Sequence, residues 1–286
     1  KPKKFGDQCT GDLMIRCKEK QHEDDIGLPE KANVALVMYD RATQWLACYP
    51  KAGRTADEMV HAFMLWTKPP ERIKSFYCDN APVLEEVAKD LGVPCDHSQA
   101  DRPQTNGIIE RCDGDVSRGA KAALMQAGLP PPFWNLAVQH YCMARNVQWV
   151  DGTTAWFQRH KDHFKGQLIP FGALVDFMPT GTSQVGKGVP KVAPSTVKGV
   201  FLGYDLNFGA VWSKRYRVAP LSAFDDASLL IGASAAECKV RIQVVAEVKP
   251  GVPNAQHPYC NIFGVAGGEG SGKGFVFPCR ELYEKA

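Results

Sequence analysis

Residues 33–39, Asn-Val-Ala-Leu-Val-Met-Tyr, are apolar at successive positions rather than at alternate ones. A strand that alternates can leave one face in water, whereas a strand apolar throughout has to be covered on both faces. The run is short and β-branched residues recur in it, so it reads as a buried strand. Such a strand needs material above and below it, which commits the chain to a layered architecture with a sheet in the middle. Residues 44–49 follow closely enough to pair with it as a hairpin.

The surrounding segments fill in the layers. Residues 8–17 contain a short apolar-rich strand. Thr55 caps a helical run through Trp66, with Met59, Val60, Phe63 and Met64 on one face. Residues 75–78 read as a strand ending on Asp79, a helix follows from Val83 to Leu91, and a brief strand surrounds Cys95. After Pro103 a longer helix runs to Ala127, burying Ile109, Cys112, Val116, Ala120, Ala123 and Ala127 at i+3 and i+4 intervals. Gly128 stops it, and the prolines at 130–132 start another helix through Asn146. Three strands, helix, strand, helix, strand, helix, helix predict an α/β or α+β domain with a mixed sheet over residues 1–150. Residues 151–195, rich in Gly, Pro and Thr, read as an extended basic linker. Residues 196–286 carry short β-like runs at 198–204, 211–218, 240–248 and 274–277, predicting a small β-rich C-terminal domain.

Composition narrows the class. Of 286 residues, 44% are hydrophobic and 23% charged, the balance of a soluble globular protein. No stretch nears the roughly 20 apolar residues of a membrane span, and Lys1-Pro2-Lys3-Lys4 opens no secretory leader. The ten cysteines are scattered and none forms C-x-x-C. Reduced thiols are expected, and His257 with Cys260 makes half a zinc site at best. Residues 1–150 hold 19 basic and 20 acidic side chains, against 9 and 4 for residues 151–218. A neutral domain followed by a basic strip suits a polyanionic partner.

Three acids attract attention because of where they lie. Asp12 is inside the first strand, Asp79 ends a buried strand, and Glu110 sits in the first turns of the long helix. A carboxylate at the edge of an apolar sheet is costly to bury without a cation or a partner. Carboxylates from several elements meeting at one end of a sheet can hold two Mg²⁺ or Mn²⁺ ions, one activating an attacking oxygen and one stabilising a leaving oxygen at a phosphate. Composition alone equally allows three ordinary surface acids. Asp40, at the end of Met38-Tyr39-Asp40, is a rival for the first acid, although Asp is also a common turn residue. Asp7, Asp113 and Asp115 are expected to face solvent.

Cys78-Asp79-Asn80-Ala81, followed by Pro103-Gln104-Thr105-Asn106-Gly107-Ile108-Ile109-Glu110-Arg111, resembles the core of retroviral and copia-type retrotransposon integrases. Phe5-Gly6-Asp7-Gln8-Cys9-Thr10-Gly11-Asp12 resembles that family's first strand, and Phe133-Trp134 with Ala144-Arg145-Asn146 its last core helix. Pro170-Phe171-Gly172 and Gly199-Val200-Phe201-Leu202-Gly203-Tyr204 look like the segment after the core, so the resemblance covers roughly residues 5–205. It implies a ribonuclease-H-like mixed sheet flanked by helices, with Asp12, Asp79 and Glu110 as a metal-binding triad. The implied reaction is DNA 3′-end processing and strand transfer. Gln104, Asn106, Arg111 and Lys121 would meet DNA phosphates. Implied partners are element-end duplex DNA, target DNA and further copies of the chain, with no membrane, a nuclear site of action and a cytoplasmic stage. Two departures stand out: Ala81 replaces a common Gly, and the Asp79–Glu110 interval is short for the family. A non-catalytic element remnant that binds DNA or protein, or a related nuclease or transposase, is the alternative. Residues 267–274, Gly-Gly-Glu-Gly-Ser-Gly-Lys-Gly, nearly spell a phosphate-binding loop, but Gly274 stands where Ser or Thr would reach Mg²⁺. A glycine-rich loop is expected there.

Overall fold

The computed structural model describes residues 2–15, 34–79, 81–97, 107–179, 196–230, 232–250 and 275–280. The first sheet is built from β1 (Cys9–Ile15), β2 (Val34–Asp40), β3 (Leu46–Lys51), β4 (Phe76–Cys78) and β5 (Cys95–His97), in the order β3-β2-β1-β4-β5. β1, β2 and β3 are antiparallel neighbours, while β4 and β5 run parallel to β1. This is the mixed sheet flanked by helices that the strand and helix order predicts.

The apolar run of β2 is explained by its two faces. Leu36 and Met38 belong to one core with Met59, Trp66 and Phe76. Ala35 and Val37 belong to another with Ile109, Val116 and Ala120. Alternate residues point to opposite sides, so both sides had to be apolar.

Among the described residues, five helices flank the sheets. α1 (Ala56–Trp66) starts in a capping box: Thr55 accepts from the Glu58 backbone, and the Glu58 carboxylate accepts from Thr55 N–H. α2 (Pro82–Asp90) links β4 to β5, as a parallel pair requires. α3 (Gly107–Ala127) buries Ile109, Cys112, Val116, Ala120, Leu124 and Ala127. The stripe is the expected one except that Leu124 takes the place of Ala123. α4 (Trp134–Val147) is buried on most of its circumference. It packs against α3, β3 and a strand of the second sheet, which leaves little of it for water.

The described part of the predicted extended connection at 151–195, residues 151–179, contains α5 (Ala155–His160) and β6 (Leu174–Phe177). α5 is too short to show a helical period. Tertiary contacts fix it: Trp156 packs on Trp45, and the fully buried Arg159 guanidinium donates to Trp66 O and pairs with Glu71 while lying 3.7 Å over the Phe5 ring. β6 joins β7 (Val197–Asn207), β8 (Val211–Pro220), β9 (Gln243–Val245) and β10 (Val248–Pro250) in an antiparallel sheet ordered β10-β6-β7-β8-β9. The predicted run at 240–248 is thus two short strands. Residues 275–277 are not a strand, although Val276 O accepts from Leu174 N–H at 2.7 Å. Phe201 and Val218 share the first core, and Val200 and Ala219 the second, so the second sheet continues both.

Eight cysteines among the described residues are free thiols. No helix among the described residues is long and apolar enough to cross a membrane. The glycine-rich loop at 267–274, His257 and Cys260 lie outside the described residues.

Candidate active site

The register of the two central parallel strands builds the site. Cys9, Thr10 and Gly11 of β1 stand opposite Phe76, Tyr77 and Cys78 of β4. One step further along each strand come Asp12 and Asp79, carried side by side past the last paired residues. Gly11 leaves room for the buried Phe76 ring, whose tip would lie 2.7 Å from a Cβ at that position and would have to shift. α3 packs across β1 and β2 and contributes the remaining acids. Glu110 is in its first turn. Asp113 is three residues further, on the same flank of the helix.

The carboxylates act on one another. Asp12 is half-buried and accepts from Leu13 N–H at 2.7 Å. Burial raises its pKa above the usual carboxylate range, and the Asp79 charge adds to this, against the opposing Leu13 and Asp113 hydrogen bonds. Asp113 is pushed up to about 8, first by burial, then by the charge of Asp12 and the hydrogen bond between the two, then by Glu110. Asp79 and Glu110 are exposed.

The placement of Asp113 corrects an expectation. It is only partly exposed, and its Oδ1 is buried without a hydrogen-bond partner among the described residues. The reason is helical: a residue three after Glu110 shares its flank, and that flank meets β1. Asp7 and Asp115 stay partly exposed in ion pairs with Lys74 and Arg118, 2.7 Å and 2.6 Å long.

Asp40 is occupied differently. Its carboxylate is fully buried and accepts from Gly6 N–H (2.9 Å), Ala42 N–H (3.2 Å), Thr43 N–H (2.7 Å) and the Thr43 hydroxyl (2.7 Å). With its lone pairs engaged, it closes the β2–β3 turn and anchors the segment entering β1.

A divalent cation suits the acid cluster by donor chemistry. All four groups are hard oxygen donors, as Mg²⁺ and Mn²⁺ prefer. The partnerless Asp113 Oδ1 is the kind of buried atom a cation would satisfy. As they stand, no three His, Cys, Asp or Glu side chains among the described residues are gathered closely enough to hold an ion.

The other sequence candidates are dispersed around α3. Arg111 is exposed on the flank away from Glu110. Lys121 is exposed on the same flank as Glu110, three turns and about 16 Å further along. Gln104, Asn106 and Asn80 lie outside the described residues.

No family model matches the chain, and no curated protein does. Among solved structures, the magnesium complex of the HTLV-2 integrase catalytic core domain in its trimeric form aligns at 17% identity and a TM-score of 0.42. That alignment covers 55% of this chain and 98% of the other. The dimeric form of the same domain aligns at 17% and 0.41, over 55% and 97%. The catalytic core domain of BIV integrase aligns at 14% and 0.39, over 55% and 95%. Likeness at this level carries no functional weight, and the chemistry rests on the residues themselves.

Proposed function

We propose that this chain is a metal-dependent polynucleotidyl transferase of the retrotransposon integrase kind, processing DNA 3′ ends and joining them to target DNA. One observation supports the reading most. Acids from a strand interior, a strand end and a helix interact at one end of a mixed sheet, Asp12 with Asp79 and with Asp113, and Asp113 in turn with Glu110. A fold does not gather repelling carboxylates for stability; such a cluster needs a cationic function to offset its cost. The motif around Asp79 and Glu110 supplies the chemical class.

In this reading Asp12, Asp79 and Glu110 hold the ions, with Asp12 fixed in orientation by Leu13 N–H. Two bound Mg²⁺ or Mn²⁺ ions would supply activation of the attacking oxygen and stabilisation of the leaving oxygen. Arg111 and Lys121, with Gln104 and Asn106, contact backbone phosphates and carry little sequence readout. The partners are element-end duplex, target DNA and further copies of the chain, and the reaction belongs in the nucleus.

The test is a strand-transfer assay with a labelled duplex and a supercoiled target, run with Mg²⁺, Mn²⁺ and chelator. Metal-dependent joined product that disappears in Asp79→Asn and Glu110→Gln is expected. Cleavage without joining would make the chain a nuclease. Joining retained in either variant would remove the triad.

A further inference from the structure

A second feature lies on the opposite flank of α3. Ile108, Arg111, Cys112 and Asp115 recur at helical spacing there, one flank round from Glu110 and Asp113. They line a groove of about 630 Å³ whose other wall comes from the β2–β3 turn and from α4. Three arginines reach this one groove from segments distant in sequence: Arg41, Arg111 and Arg145.

Two of the three arginines are held in place, and none of the three is paired with an acid among the described residues. Arg41 Nη1 donates to the neutral Gln8 Oε1 at 3.4 Å, and its Nε is buried without a partner. Arg145 Nη1 donates to Gln44 O at 3.3 Å, and its guanidinium lies 5.9 Å from the centre of the Tyr39 ring. The acid on the groove wall, Asp115, is paired with Arg118 at 2.6 Å. The groove therefore presents three cations, two of them held in place, and no uncommitted anion among the described residues that line it. Guanidinium forks match the oxygens of a phosphate in both charge and geometry.

We infer that this groove seats a backbone phosphate of the nucleic acid whose reacting phosphate meets the carboxylates. The inference rests on the proposed polynucleotidyl transfer and adds Arg41 and Arg145 to its binding residues. The acids and the arginines are one helix width apart, roughly 10 Å. A strand running across the N-terminal part of α3 would therefore put a phosphate in the groove a few nucleotides from the bond being cut. Seating it fixes where along the strand the reaction occurs, a positioning role distinct from holding the metal.

The experiment is duplex binding by fluorescence anisotropy in chelator, across a salt series, so that no metal chemistry contributes. Arg41→Gln, Arg111→Gln and Arg145→Gln are compared with wild type and with Lys89→Gln, a charge loss at an exposed position of α2. Each groove variant is expected to weaken binding roughly tenfold and to flatten the salt slope by about 0.9, the signature of one lost phosphate contact. Lys89→Gln is expected to leave the slope unchanged. Arg111 is exposed and forms no hydrogen bond or ion pair among the described residues, so it reports even if Arg41→Gln or Arg145→Gln folds poorly. Arg145→Lys then separates fork from charge, keeping the slope while losing affinity. Wild type that binds duplex, with all three variants matching it in affinity and slope, overturns the groove and leaves the proposed reaction standing. Wild type that binds no duplex at any salt overturns both.

Discussion

Asp40→Asn separates a carboxylate that holds the fold from one that holds a metal. Asp40 Oδ2 accepts from Gly6 N–H, while Oδ1 accepts from Ala42 N–H, Thr43 N–H and the Thr43 hydroxyl. An asparagine can keep its oxygen toward the Thr43 cluster only by turning its NH₂ toward Gly6 N–H, donor against donor. One charge-assisted hydrogen bond is lost, worth about 1.5–3 kcal/mol, and the buried Gly6 N–H is left unpaired at a further cost of about 1–3 kcal/mol. A loss of about 3 kcal/mol is expected, equivalent to a fall in melting temperature of about 6–12 °C for a chain of this order of size. Thermal melting in chelator measures it, and Mn²⁺ titration of the folded variant measures the metal. Asp12→Asn is expected to behave in the opposite way, melting no lower than wild type because it removes a half-buried charge facing Asp79. Its Mn²⁺ affinity should fall. An Asp40→Asn variant that melts within about 2 °C of wild type and loses Mn²⁺ binding would instead make Asp40 the first ligand.

Two further outcomes follow from buried polar groups away from the site. Asn146 on α4 accepts from Leu46 N–H at 3.0 Å and donates to Leu46 O at 2.7 Å, satisfying the outer edge of β3; Asn146→Ala should cost about 2–4 kcal/mol in urea unfolding, and a loss below about 1 kcal/mol would mean that water replaces the clamp. His140 and His160 are held neutral, their pKa values lowered to about 4 and about 3, chiefly by burial. Both lie below the unfolded value, so the stability they contribute is present above pH 6.5 and is lost as pH falls toward 4. At 1.36 kcal/mol per pH unit this is about 3 kcal/mol for His140; His140→Gln should flatten the fall in urea midpoint between pH 7.5 and 4.5, and an unchanged profile would contradict its burial as a neutral ring.

The sequence reveals the parts of this molecule that are periodic or local. The unbroken run of β2 announces a sheet covered on both faces, and the stripe of α3 announces which side of that helix is buried. Asp79 and Glu110 stand in a recognisable string. Reading α3 only for its apolar stripe, however, hides what lies on its two margins. Asp113 is three residues after Glu110, a spacing visible in the sequence that points to a shared flank. Arg41 and Arg145 are 104 positions apart, and no local signal links them; only the packing of α4 beside the β2–β3 turn brings them to Arg111. α5 and β6 are invisible for a related reason. Their residues have weak preferences, and Trp156, Arg159 and Phe177 find their places through contacts with distant aromatic and apolar neighbours.

The buried stripe of α3 has a consequence beyond stability. Because Ile109, Cys112 and Val116 press on the sheet, the helix cannot rotate without moving the acids on one margin and Arg111 on the other together. Rotation by a single residue would turn Glu110 away from β1 and carry Arg111 toward it, replacing a cation-binding margin with a cation. The apolar contacts therefore fix the relation between carboxylates and arginines. Ile109→Ala is expected to show this: besides losing about 2–4 kcal/mol of stability, the folded fraction should bind Mn²⁺ and duplex more weakly, although Ile109 touches neither. If both affinities stay at wild-type values in a sample whose folded fraction has been measured, the stripe sets stability alone and the geometry of the two margins is fixed elsewhere.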